Sequence, residues 1–143
     1  MPEIVNNQRK VKLDLSRLKD FTDPLPSKIK EIQGRDFTVA FISDSRMKEL
    51  NNSFRGKNST TDILSFPSEP DEFNPSGDFL GDIAISAQQA QKQAVENGLD
   101  LETEIKQLIL HGVLHLCGFD HETDNGEMNA RELELRESLK IAS

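Results

Sequence analysis

Cysteine is nearly absent from this sequence. The 143 residues contain one, Cys117, which leaves no internal disulfide framework and suits a reducing compartment. No run approaches the roughly 20 consecutive apolar residues that cross a bilayer. The opening MPEIVNNQRKVKLDL lacks the apolar stretch of a secretory signal, so the expectation is a cytoplasmic protein without a membrane segment. A basic excess is missing as well: 25 acidic residues face 17 basic ones, for a formal net charge of −8. Nucleic-acid binders usually carry the opposite balance. Contact with RNA would therefore need a local patch. Arg46, Lys48, Arg55 and Lys57 lie close enough in sequence to supply one, and they fit a solvated helix face equally well. There is no internal repeat and no low-complexity tract.

What is present reads as one α+β domain spanning residues 1–143. EIVNN near the start suits an edge strand. LDLSRLKDF reads as a short helix that the Pro24 and Pro26 segment interrupts, with Ser27 capping a second piece, KIKEIQ, ended by Gly34. DFTVAFI is β-branched and aromatic and reads as a strand. Ser43 or Asp44 then caps a helix carrying Met47, Leu50 and Phe54 at helical spacing. DILSF and FLGDIAIS read as strands flanking SEPDEFNPSGD, the loosest stretch. Ser86 caps a helix ended by Gly98. LETEIKQLILHGVLHLCG is the most apolar helix, with Leu101, Ile105, Leu108 and Ile109 on its buried face, and Asp124 caps a final one. The sum is a mixed sheet of three or four strands packed with about five helices.

All three histidines fall within the eleven residues HGVLHLCGFDH. His111 and His115 are four apart on the expected helix, which sets both rings on one face, about 6 Å apart at Cβ. Gly118 stops the helix, and His121 can return as a third ligand. Three imidazoles and an open fourth position describe a catalytic zinc site, and one Zn2+ is the expected cofactor. Other divalent transition metals accept the same ligands. A lone H-x-x-x-H is weak evidence, but three histidines at this spacing with none elsewhere are stronger, and an apolar helix is a costly place for unpartnered imidazoles. Metzincin proteases place Glu directly after the first His as general base. Gly112 stands there in this chain, which argues against a peptidase. Cys117 points to another face and reads as a small buried hydrophobe. GKNST fails the phosphate-loop pattern, because Asn51 replaces its first Gly and Asn58 follows Lys57, so no nucleotide cofactor is expected.

HGVLHLCGFDH resembles the signature H-G-x-L-H-L-x-G-[YF]-D-H of the YbeY family of bacterial endoribonucleases, and matches every fixed position. LNNSFRGKNSTTDILSFP resembles that family's L-N-x-x-[YF]-R-x-K-x-x-x-T-D-V-L-S-F-P, with Phe54 and Ile63 as modest departures, and GDIAIS sits where the family carries a G-D-I strand. The blocks cover roughly residues 50 to 121. The resemblance implies a metal-dependent, single-strand-specific endoribonuclease acting in 16S rRNA 3′-end maturation and ribosome quality control. It also implies an α+β domain with the metal in a cleft, and as partners rRNA, the small ribosomal subunit and ribosomal proteins. It carries the metal ligands onto His111, His115 and His121, and a functionally important arginine onto Arg55.

On spacing alone Arg55 reads as a cation at a helix C-terminus, which the macrodipole favours. With the resemblance it becomes the group that grips the scissile phosphate, as a guanidinium suits developing negative charge. Asp120 directly precedes His121. It can orient a ligand imidazole, which we favour, act as a general base, or close a helix-to-loop turn. Asp62 and Asp82 sit at expected strand starts, where a structural role suits either. Two other readings remain: a non-catalytic assembly factor whose zinc holds a binding surface, and a metal-dependent hydrolase of peptides.

Overall fold

A computed structural model describes residues 1–120 and 122–141. Four strands form one mixed sheet in the order β1-β2-β4-β3. Strands β1 (Glu3–Asn7), β2 (Asp36–Ile42) and β4 (Phe79–Ser86) run parallel, and β3 (Ile63–Pro67) pairs antiparallel with β4 at one edge. The helices are α1 (Leu15–Thr22), α2 (Leu25–Lys28), α3 (Asp44–Arg55), α4 (Ala87–Asn97), α5 (Leu101–Leu116) and α6 (Glu127–Ser138). This is the α+β class expected from the sequence. Among the described residues no helix is long and apolar enough to cross a membrane.

The caps follow the sequence. Ser43, Ser86 and Asp100 accept backbone N–H groups at the starts of α3, α4 and α5, each satisfying a donor the helix itself cannot. Gly56 and Gly98 end α3 and α4 in the left-handed region. Asp124 was expected to cap α6, but Gly126 is its N-cap, without a side-chain cap bond; Asp124 lies further out, where its Oδ2 accepts the Met128 N–H at 2.9 Å. The segment after α1 departs from expectation. Ser27 lies inside α2, whose first turn holds Pro26, and Lys30–Ile32 forms a separate single turn. The proline segment does interrupt the first helix, which stops at Thr22, and it also opens the next one, because proline costs nothing at a helix start, where its missing N–H has no partner to lose.

Strand alternation divides the core. Phe37, Val39, Phe41, Ile83 and Ile85 face α5, and all are at most 1% exposed. Ile42, Leu64 and Ala84 meet Met47 of α3 in a second, smaller cluster. Leu50 packs against that cluster, but Phe54 is 66% exposed and only meets Phe66 edge-on, with ring centroids 5.1 Å apart. The helical spacing of Met47, Leu50 and Phe54 holds, but burial falls off along it toward the end of α3. Ten of the sixteen residues of α5 are buried. It is wrapped by the sheet, α4 and α6, and each of its buried Leu and Ile side chains contributes about 1.5–3 kcal/mol. Gly112 makes this packing possible, because a Cβ there would lie 2.9 Å from Ile63 Cδ1.

The stretch between β3 and β4 is tied down by Asn74, which is 8% exposed. Its side chain bonds the Phe79 N–H and C=O and the Ser68 hydroxyl.

Candidate metal centre

The free edge of β3, the exposed wall of α5 and the neighbouring face of α6 enclose a cleft of about 710 Å³. His111, His115, Arg55 and Asp120 all line it. The structure therefore gathers four of the five residues singled out from the sequence. The fifth, His121, lies outside the described residues.

His111 and His115 are half-buried and stack edge to face. Nδ1 of His111 lies 3.1 Å from Glu132 Oε1, and Nδ1 of His115 lies 3.0 Å from the Phe119 carbonyl oxygen. A carboxylate and a carbonyl only accept, so each Nδ1 carries the proton. A neutral ring then presents a lone pair at Nε2. The two Nε2 atoms lie 3.1 Å apart. Two lone pairs at that distance repel unless a cation, either a shared proton or a metal ion, sits between them. Zn–N bonds of about 2.0–2.1 Å at a tetrahedral angle put two ligand nitrogens roughly 3.3 Å apart. The observed pair is within a few tenths of an ångström of that spacing. By tautomer, by distance and by the neutral nitrogen donors they offer, His111 and His115 fit a zinc ion.

The lining charge points the same way. Asp62, Glu104, Asp120, Glu122 and Glu132 face only Arg55 and Arg136 there. A carboxylate excess favours a bound cation and repels a bare phosphate.

Arg55 ends α3 and is exposed. The loop that follows is pinned at two points. Asn51, 2% exposed, donates to the Ser59 carbonyl at 2.8 Å. Asp44 accepts hydrogen bonds from the Thr60 and Ser86 hydroxyls and from the Gln89 amide. Burial alone would raise the Asp44 pKa, but those hydrogen bonds together with the charge of Lys92 hold it below its ordinary value. The cations near Arg55 do not converge. At about 100° per residue, Lys48 lies on the same side of α3 two turns away, whereas Arg46 lies on the opposite side and pairs with Glu49 at 2.9 Å.

Asp120 closes a turn: its Oδ1 accepts the Glu122 N–H at 3.0 Å, and its carbonyl accepts from Thr123 and Asp124. His111 is oriented by Glu132 and His115 by the Phe119 carbonyl; the part expected of Asp120 toward its neighbour His121 lies outside the described residues. Asp62 lines the cleft just before β3. Asp82 is not at a strand start. It lies within β4, in register with Thr38 and Phe66, on the face away from α5. Cys117 lies outside the cleft lining, and burial pushes its thiol up to about 11.

Glu132 is the residue that sequence reasoning missed. A signal existed: Met128, Glu132 and Leu135 recur at helical spacing and all are buried, so a carboxylate interrupts the apolar stripe of α6. Such a group is costly unless its oxygens are bonded. The Phe119 carbonyl, a backbone group beyond the positive φ of Gly118, left no side-chain signal to read.

Known proteins share this arrangement of chain and motif. A relative from Nautilia profundicola named Endoribonuclease YbeY is 41% identical over 138 residues, covering 96% of this chain and 91% of its own. Another of that name, from Koribacter versatilis, is 50% identical over 105 residues, covering 73% of this chain and 65% of its own. The solution structure of TM1509 from Thermotoga maritima superposes with a TM-score of 0.65 at 31% identity, covering 97% of this chain and 89% of that one. The family model described as Endoribonuclease YbeY matches residues 3–140, and with those relatives it places this chain in the YbeY endoribonuclease family.

Proposed function

We propose that this protein is a zinc-dependent, single-strand-specific endoribonuclease that acts in the cytoplasm on the 3′ end of 16S rRNA, in maturation and quality control of the small ribosomal subunit. The observation that carries the reading is the His111–His115 pair, whose Nε2 atoms lie 3.1 Å apart in the cleft that Arg55 also lines. Membership of a family named for endoribonuclease activity supports the reaction class.

His111, His115 and His121 would hold the metal. When bound, zinc supplies Lewis-acid activation of water and polarises a phosphoryl oxygen. The chain's own residues do the rest. Arg55 sets a guanidinium at the cleft wall, where a bidentate contact orients the scissile phosphate and offsets the charge that develops on it. It also counters the carboxylate lining, which by itself would turn RNA away. Glu132 and the Phe119 carbonyl hold the two rings so that both Nε2 atoms face one point. The side-chain and carbonyl oxygens of Asp120 accept the backbone N–H groups of Glu122, Thr123 and Asp124.

Gly112 argues against a peptidase of the metzincin kind, since it occupies the place of their glutamate and has no room for one. The acidic balance of the whole chain favours a second reading, a non-catalytic assembly factor that meets ribosomal proteins rather than RNA. One experiment separates them: cleavage of an RNA fragment spanning the 3′ end of small-subunit rRNA by zinc-loaded wild type and by His115→Ala. Cleavage by the wild type alone supports the ribonuclease. Equal cleavage by both, or by neither, overturns it.

A further inference from the structure

We propose that Glu132 is a positioning residue that sets the metal affinity of the cleft, by fixing His111 as the Nδ1–H tautomer. The inference rests on the reading of the cleft as a metal centre. Glu132 is 8% exposed and reaches the site from α6. Its Oε1 takes the His111 Nδ1 contact at 3.1 Å, and its Oε2 lies 3.6 Å from Arg136 Nη2, one turn further along the same helix. Both carboxylate oxygens therefore have a cationic or N–H neighbour, and the group is held from two sides.

The helix beneath it is anchored independently of the site. Arg131 makes a bidentate contact with Glu31, at 2.8 and 2.9 Å. Met128 and Leu135, 1% and 3% exposed, pack into the main core. The carboxylate is thus delivered to a fixed point. A fixed anionic acceptor at Nδ1 does two things. It excludes the Nε2–H tautomer, which has no Nε2 lone pair to offer a metal, and it fixes the orientation of the ring.

Zinc affinity of the full-length protein tests this role. Wild type, Glu132→Gln, Glu132→Ala and His111→Ala are titrated with Zn2+ against a competing chelator, and each zinc-free protein is melted alongside. Glu132→Gln is expected to bind about 10-fold more weakly and Glu132→Ala closer to 100-fold more weakly, with zinc-free melting temperatures near that of the wild type. Wild-type affinity in both Glu132 variants, with His111→Ala impaired, overturns the inference and leaves the metal centre standing. Absence of zinc binding by the wild type, or undiminished binding by His111→Ala, overturns the metal centre itself. Nitrogen-15 NMR of the wild-type histidines decides the matter even where the variants do not fold: His111 protonated at Nδ1 is the expected result, and His111 protonated at Nε2 overturns the inference.

Discussion

Gly112 turns its bare α-carbon toward Ile83, and a Cβ built there would lie 3.1 Å from both Ile83 Cδ1 and Ile83 Cγ2. The position that carries the general base in one class of zinc peptidases is here the contact point between α5 and the sheet. Gly112→Glu would drive a carboxylate between Ile63 and Ile83. It is expected to cost more than about 4 kcal/mol of stability and to gain no peptidase activity. Urea unfolding and a peptide-cleavage assay measure both.

A metal held between His111 and His115 must stabilise the folded state. Protein stripped with a chelator and then given zinc at about 100 times its dissociation constant should gain about 2.7 kcal/mol. For a domain of this size that is a rise in melting temperature of roughly 5–10 °C. The rise should vanish in His115→Ala. An equal rise in both proteins would place the zinc elsewhere.

Arg55 is exposed at the end of α3, and its side chain carries none of the packing. Arg55→Ala should therefore melt with the wild type, while RNA cleavage falls about 100-fold, mainly in kcat. Cleavage at the wild-type rate would remove Arg55 from the mechanism.

Asp44 gives the fold an acid-sensitive joint. Its pKa is held below its ordinary value of 3.8 by the hydrogen bonds that tie the loop after Arg55 to α4 and β4. A lowered pKa means that the unfolded chain binds the proton more readily. The stabilisation is thus complete above about pH 4 and is lost as pH falls through the lower folded value. Denaturant unfolding of wild type and Asp44→Asn from pH 7 to pH 3 should show the two curves converging below pH 4. Curves that stay parallel would mean that the Asp44 charge contributes nothing.

Cys117 packs against the core, and its thiol is pushed up to about 11, with burial the main cause. At pH 8 only about one molecule in a thousand carries the reactive thiolate. A thiol reagent should label the native protein far more slowly than the urea-unfolded chain. Comparable rates would contradict the burial.

Local structure was legible in the sequence because its causes are local. A serine or aspartate before a helix, a glycine after it, and β-branched residues at alternate positions act through neighbours a few residues apart. His111 and His115 share a wall of the cleft because four residues make about one helical turn. The expectations that failed had causes at a distance. Phe54 shares the helical spacing of Met47 and Leu50 yet stays exposed, with Phe66 of β3 against its ring. Asp82 fell inside β4 rather than at its start, because pairing with β2 already begins at Phe79.

The sequence by itself therefore determined the elements, the paired imidazoles and the family. Tertiary structure alone decided that Glu132, twenty-one residues beyond His111, lies against its Nδ1, and that Arg55 from another helix shares the cleft. It also decided that Gly112 is a packing contact rather than a vacant catalytic position. The physical reason is the same in each case. Side-chain spacing along one helix is set by backbone geometry, whereas contact between two helices is set by which faces they bury, and that depends on the whole chain.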